Sequence, residues 1–175
     1  DVPHAYLPTP DEDAQLVEGA PVTIVGWGNQ EPVPPGSQPQ PGKVAVKMQA
    51  ESVIGVVGAT EFQVGPAFED GRKCQGDSGG PTFQQVETDS TEAWRVIGVT
   101  SHAFDETLCE RTGGVDTRVS AYLDWIDAEM RARCEDGTRS WCEEPGIIPP
   151  PTNDGLADGE DAEAGGGAPG TGGTS

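Results

Sequence analysis

Short stretches of alternating apolar and polar residues recur along much of this chain, each closed by glycine or proline. Val22-Thr23-Ile24-Val25-Gly26-Trp27-Gly28 is a β-branched run that ends in glycine. In Lys43-Val44-Ala45-Val46-Lys47-Met48 the alternation puts Val44, Val46 and Met48 on one face, the signature of a half-buried strand. Residues 29–42, between the two runs, are rich in Pro and Gly and are expected to form an exposed loop open to nicking. The same pattern predicts strands at 61–64, 81–85, 94–101 and 114–119. Short strands at this spacing favour a closed antiparallel barrel over an open sheet. The exception is 120–133, where Leu123, Ile126 and Met130 recur at helical spacing behind Ser120, an N-cap residue type. This stripe predicts a C-terminal helix packed on the barrel.

Composition limits how far the barrel extends. From residue 143 to 175 there is no basic and no aromatic residue, a three-proline run occurs, and the end is glycine-rich, so the segment cannot bury enough apolar surface to fold. We expect one domain over residues 1–142 and an acidic, disordered Pro/Gly-rich tail over 143–175. With 30 acidic against 10 basic residues the formal charge is -20, which argues against nucleic-acid binding. No apolar run approaches membrane-spanning length. The chain opens on Asp1 rather than Met, so the expectation is that residue 1 is not the start of the gene product.

Four cysteines, Cys74, Cys109, Cys134 and Cys142, point to an oxidising, extracytoplasmic compartment. Three pairings are open from sequence. A zinc site competes with disulfides, but there are no paired C-x-x-C units and both histidines lie far away in sequence. No metal and no cofactor is expected.

The chemistry concentrates in Lys73-Cys74-Gln75-Gly76-Asp77-Ser78-Gly79-Gly80-Pro81. A serine hydroxyl attacks a carbonyl only if a base takes its proton and backbone donors receive the developing negative charge. Gly76 leaves its N-H open to a substrate carbonyl, and Gly79 and Gly80 permit the turn that aims it. The Gly76 and Ser78 amides would then form an oxyanion hole beside the Ser78 hydroxyl.

This run resembles the nucleophile loop of the chymotrypsin/trypsin-like serine proteases. Val25-Gly26-Trp27-Gly28, preceded by Tyr6-Leu7-Pro8, is similar to the strand that opens their second barrel. Ile97-Gly98-Val99-Thr100-Ser101 is similar to their substrate-pairing strand. The run from Gly113 to Val119, followed by Tyr122-Leu123-Asp124-Trp125-Ile126, resembles their last strand and C-terminal helix. The chain is identified on these matches as a member of the family, of a bacterial secreted type. The resemblance implies the second, six-stranded antiparallel β-barrel of an all-β double-barrel enzyme, with a C-terminal α-helix. It implies an endopeptidase acting on polypeptide substrates through an acyl-enzyme on Ser78. It also implies a missing N-terminal barrel, because nothing here resembles the segments carrying the catalytic histidine and aspartate. The fragment alone is therefore expected to be inactive. A non-catalytic pseudoprotease that binds a partner is the alternative.

Further expectations come only from the resemblance. Cys74 pairs with Cys109, as in the family bridge beside the nucleophile loop, leaving Cys134 with Cys142. Asp77 stands where the family places a carboxylate that pairs with a new N-terminus after activation. Without that terminus, Asp77 should protonate or turn to solvent, and the loop at Gly76 should be incompletely formed. The substrate pocket falls on Arg72, Gln75, Ser101, Ala103 and Gly114, with Ala103 narrowing the entry. Arg72 and Lys73 leave three possibilities open: a cationic pocket, an Arg72–Asp116 pair under a shallow neutral pocket, or two solvent-facing cations. His4 is expected in an inter-barrel connection. His102 is expected on the pocket wall or facing solvent, with neither histidine acting as the base.

Overall fold

The structure, a computed structural model of the 175-residue chain, describes residues 5–30, 46–87, 92–105, 112–143 and 146–147. Its strands are β1 (Pro21–Gly26), β2 (Met48–Val57), β3 (Glu61–Val64), β4 (Pro81–Glu87), β5 (Glu92–Ala103) and β6 (Gly114–Arg118), followed by the helix α1 (Leu123–Glu135). The strands close into one barrel in the order β1-β2-β3-β6-β5-β4, and every pairing between neighbours is antiparallel. The expected six-stranded barrel with its C-terminal helix is therefore present. The tail from residue 148 onward lies outside the described residues.

Period-2 alternation explains which side chains fill the barrel. Val22 and Ile24 of β1, Ile54 of β2, Phe62 and Val64 of β3 and Ile97 of β5 form one buried cluster with Leu16 from the segment before β1. The inward positions of β4 include Thr82 and Gln84, both buried: Thr82 Oγ1 donates to Asp116 Oδ2 at 2.5 Å and Gln84 Nε2 to the Gln15 carbonyl at 2.9 Å, while Gln84 Oε1 accepts no hydrogen bond among the described residues.

The strand expected at 43–48 begins later. β2 starts at Met48, while Val46 and Met48 are exposed and residues 43–45 lie outside the described set. Two features hid the true strand. Buried Ser52 and Gly55 interrupt its apolar face, and the register with β3 shifts between Ile54 and Val57, which breaks the alternation. Gly55 leaves room for the buried Gln63 side chain, whose Oε1 would lie 2.4 Å from a Cβ at this position.

The helix also starts later than expected. Ser120 lies in a 3-10 turn, Val119–Tyr122, and α1 follows at Leu123 with no side-chain cap. The Ser120 hydroxyl accepts a hydrogen bond from Arg118 Nε at 3.0 Å, and Ser120 stands inside the 3-10 turn, so the cap position of α1 falls on Tyr122. Of the predicted stripe only Leu123 is fully buried; Ile126 and Met130 are half-buried, and Trp125 is 65% exposed. Beyond α1, Gly137 turns the chain at φ +74, and the Cys134–Cys142 disulfide closes the hairpin that follows.

Candidate active site

The loop between β3 and β4 carries the Gly76-Asp77-Ser78 turn, and backbone hydrogen bonds fix its shape. Asp77 N donates to Cys74 O (3.0 Å) and Gly80 N to Asp77 O (2.9 Å). Gly76 and Gly79 hold φ of +102 and +77, values that side-chain-bearing residues rarely adopt. Gly79 N donates to Thr100 O and Thr100 N to Gly80 O, both at 2.9 Å. Ser78 is thereby mounted on strand β5, with its side chain exposed. Among the described residues, neither the Gly76 nor the Ser78 amide donates to a protein acceptor.

Asp77 anchors the turn from below. Its Oδ1 accepts from Gly28 N at 2.7 Å and its Oδ2 from Cys74 N at 2.8 Å. The carboxylate occupies the space that side chains at Gly26 and Gly28 would need, because a Cβ at either would fall 1.9 or 2.4 Å from Asp77 atoms. Asn29 N donates to Gln75 O at 2.9 Å, which zips the same two segments together. Of the two outcomes expected for Asp77, the turn to solvent is not seen, because both carboxylate oxygens are engaged by backbone amides. Backbone hydrogen bonds at Asp77 and Gly80 shape the turn that follows Gly76. A cavity of about 250 Å³ lies beside Asp77, lined in part by Gly26, Gly28, Met48, Ala50 and Lys73.

The basic residues before the turn part company. Arg72 donates to the Ala67 carbonyl at 2.5 Å and lies 5.2 Å from the Phe68 ring centroid. Lys73 turns inward, and its Nζ is 2.7 Å from Asp116 Oδ2, with both side chains buried. Of the three possibilities, the one that paired a loop cation with Asp116 is realised by Lys73 instead of Arg72, and Lys73 does not face water. Burial pulls the Lys73 ammonium below its ordinary value, against the opposing pull of Asp116. Asp116 Oδ1 accepts no hydrogen bond among the described residues.

The remaining expected pocket residues lie along β5, β6 and the loop. Ala103 faces Gly114 across the β5–β6 ladder, one step from the His102–Val115 pair. Ser101 is exposed, Gln75 and Ala103 are half-buried, and Gly114 is buried. His102 Nδ1 sits 2.7 Å from its neighbour's carbonyl at Ala103, and Nε2 lies 3.6 Å from Glu61 Oε1. Both nitrogens of that exposed ring thus lie near groups other than Ser78. His4 and Cys109 lie outside the described residues; Cys74 is disulfide-bonded. Sequence reasoning missed the seat that Gly26 and Gly28 provide for Asp77, although the spacing of two glycines around an exposed Trp27 was the available signal.

The family model described as Trypsin matches residues 3–126. The chain belongs to the trypsin family. It is 33% identical over 130 residues to Trypsin 5G1 of Aedes aegypti, covering 70% of this chain and 45% of that protein. Clotting factor G beta subunit of Tachypleus tridentatus is 40% identical over 73 residues, covering 39% of this chain and 22% of the relative. Melanization protease 1 of Drosophila melanogaster is 41% identical over 61 residues, covering 34% and 15%. This trypsin-family chain spans less than half the length of these relatives. All three are arthropod proteins, so the expected bacterial type finds no support in them.

Proposed function

We propose that the chain is the Ser78-bearing C-terminal half of a secreted serine endopeptidase, with a protease unit at 1–142 and an acidic tail at 143–175. The observation that carries this reading is the docking of Asp77 onto Gly28 and Cys74, because it holds Gly76 and Ser78 in one turn with their amides unused. In the proposed reaction, Ser78 Oγ attacks a peptide carbonyl carbon while its proton passes to a histidine on the preceding barrel of the same protease. The Gly76 and Ser78 amides receive the oxyanion. Collapse expels the amine, which takes that proton, and leaves an acyl-Ser78 ester that water hydrolyses. Gln75, Ser101, Ala103 and Gly114 would line the substrate pocket, with Arg72 near its base. Asp77 would also receive the new N-terminus of an activated chain, entering through the cavity beside it.

A fluorophosphonate probe tests the reading. It should label Ser78 in the complete protein, lose that label in Ser78→Ala, and leave the isolated 175-residue chain unlabelled, since the proposed base belongs to the preceding barrel. Complete protein that stays unlabelled under activating proteolysis would overturn the proposal.

A further inference from the structure

We infer that the buried Lys73–Asp116 ion pair makes the substrate pocket beside Ser78 select an uncharged side chain. The inference rests on the protease reading above and specifies which substrates that site accepts. Lys73 belongs to the same loop as Ser78, and its ammonium meets Asp116 with side-chain exposures of only 4% and 0%. Asp116 stands opposite Thr100 in the β5–β6 register, and the Thr100 carbonyl holds the Gly79 amide next to Ser78. The proposed walls, Ala103 and Gly114, face each other farther along the same two strands. Asp116 thus sits two residues along β6 from the proposed wall residue Gly114, and its carboxylate reaches Lys73 of the Ser78 loop. Gly98 makes room for it, because a Cβ there would sit 2.5 Å from Asp116 Oδ2.

Electroneutrality sets the selection. The positive charge of Lys73 and the negative charge of Asp116 cancel, and Thr82 Oγ1 supplies a second donor to Asp116 Oδ2. Arg72, the other cation of the loop, is held by the Ala67 carbonyl and the Phe68 ring. A cationic substrate side chain would compete with Lys73 for one carboxylate, and an anionic one would meet Asp116. Either leaves a charge without its partner and out of water, which is costly. An uncharged side chain breaks no pair.

The test is a set of peptide substrates varied only at the residue preceding the cut, assayed on the complete protein alongside the fluorophosphonate probe. Uncharged residues should be cleaved at least about tenfold better in kcat/KM than Lys, Arg, Asp or Glu. Lys73→Ser should shift preference toward Lys and Arg, and Asp116→Ser toward Asp and Glu. A pair that only props the fold would lower every substrate equally. The doubly neutral Lys73→Met/Asp116→Leu variant should keep the uncharged preference, which guards against single variants that fail to fold. A wild-type preference for any charged residue, or parallel losses in both single variants, would overturn the inference while probe labelling leaves the protease reading intact. Loss of labelling in the wild type would overturn both.

Discussion

The Asp77 carboxylate bridges two parts of the chain 49 residues apart, with its Oδ1 2.7 Å from the Gly28 amide. Its other oxygen reaches the Cys74 amide at 2.8 Å, so one side chain joins the end of β1 to the Ser78 turn. Replacing it by asparagine sets an NH₂ group against a backbone N-H. For Asp77→Asn we expect a loss of about 1.5–3 kcal/mol in stability, the range for hydrogen bonds to a charged group. Urea unfolding of the chain measures that loss. In the complete protein, probe labelling at Ser78 should slow about 100-fold if the turn supplies oxyanion donors.

Gly26→Ala should damage the same junction by a different route, since the added Cβ would lie 1.9 Å from Asp77 Oδ1. Overpacking of this kind costs about 1–3 kcal/mol. Trp27→Phe, at a side chain 53% exposed, should cost less. Equal midpoints for the two variants in urea would contradict the docking geometry.

Phe62→Ala should be among the most destabilising truncations in the barrel. The ring is 1% exposed within the central cluster, and deletions of buried aromatics cost about 3–5 kcal/mol. Phe68→Ala should cost no more than about 1 kcal/mol, because that ring is 78% exposed and its one described contact is the stack with Arg72. Calorimetric melting of the two variants separates these outcomes.

Acidification should loosen the segment before β1. Arg95 donates two hydrogen bonds to Glu12, at 2.7 and 2.8 Å, and chiefly through them holds the Glu12 carboxyl below its ordinary value of 4.5. A carboxyl lowered in the folded state contributes stability that is fully present above its unfolded value and is lost as pH falls through the folded one. Wild type should therefore melt above Glu12→Gln at pH 7, and the gap should narrow as pH falls below 4.5 and the carboxyl becomes protonated. A gap that persists at low pH would show that the pair is not the source.

The strands that the sequence disclosed are those whose inward residues are apolar and regularly spaced, such as Val22 with Ile24 and Phe62 with Val64. β2 escaped because Ser52 and Gly55 sit where such residues would be expected and a bulge shifts its register. The Gly76-Asp77-Ser78 run was legible because few other purposes require glycines flanking a serine in this way. The partner of Asp116 was not, because Arg72 and Lys73 are adjacent and only the strand geometry decides which of them turns inward. That Asp77 does not turn to solvent was hidden for a related reason. Backbone amides are invisible as donors in a sequence, and two of them satisfy the carboxylate.

Closure of the barrel sets the order of events in folding. The seam joins β1 to β4 through Thr23 with Phe83 and Ile24 with Thr82, and β3 pairs with β6 through Glu61 with Thr117. No local hairpin makes these contacts, so the chain must close long loops before it gains from them. Barrels dominated by such pairings fold in about milliseconds to seconds. The Ser78 loop leads into β4 and is pinned to β5 at Thr100, so its geometry arises only once both strands have docked. A chain truncated before Thr100 would lack the strand that holds the Gly79 amide and the Gly80 carbonyl, so the seat of the serine depends on a strand that follows it in sequence.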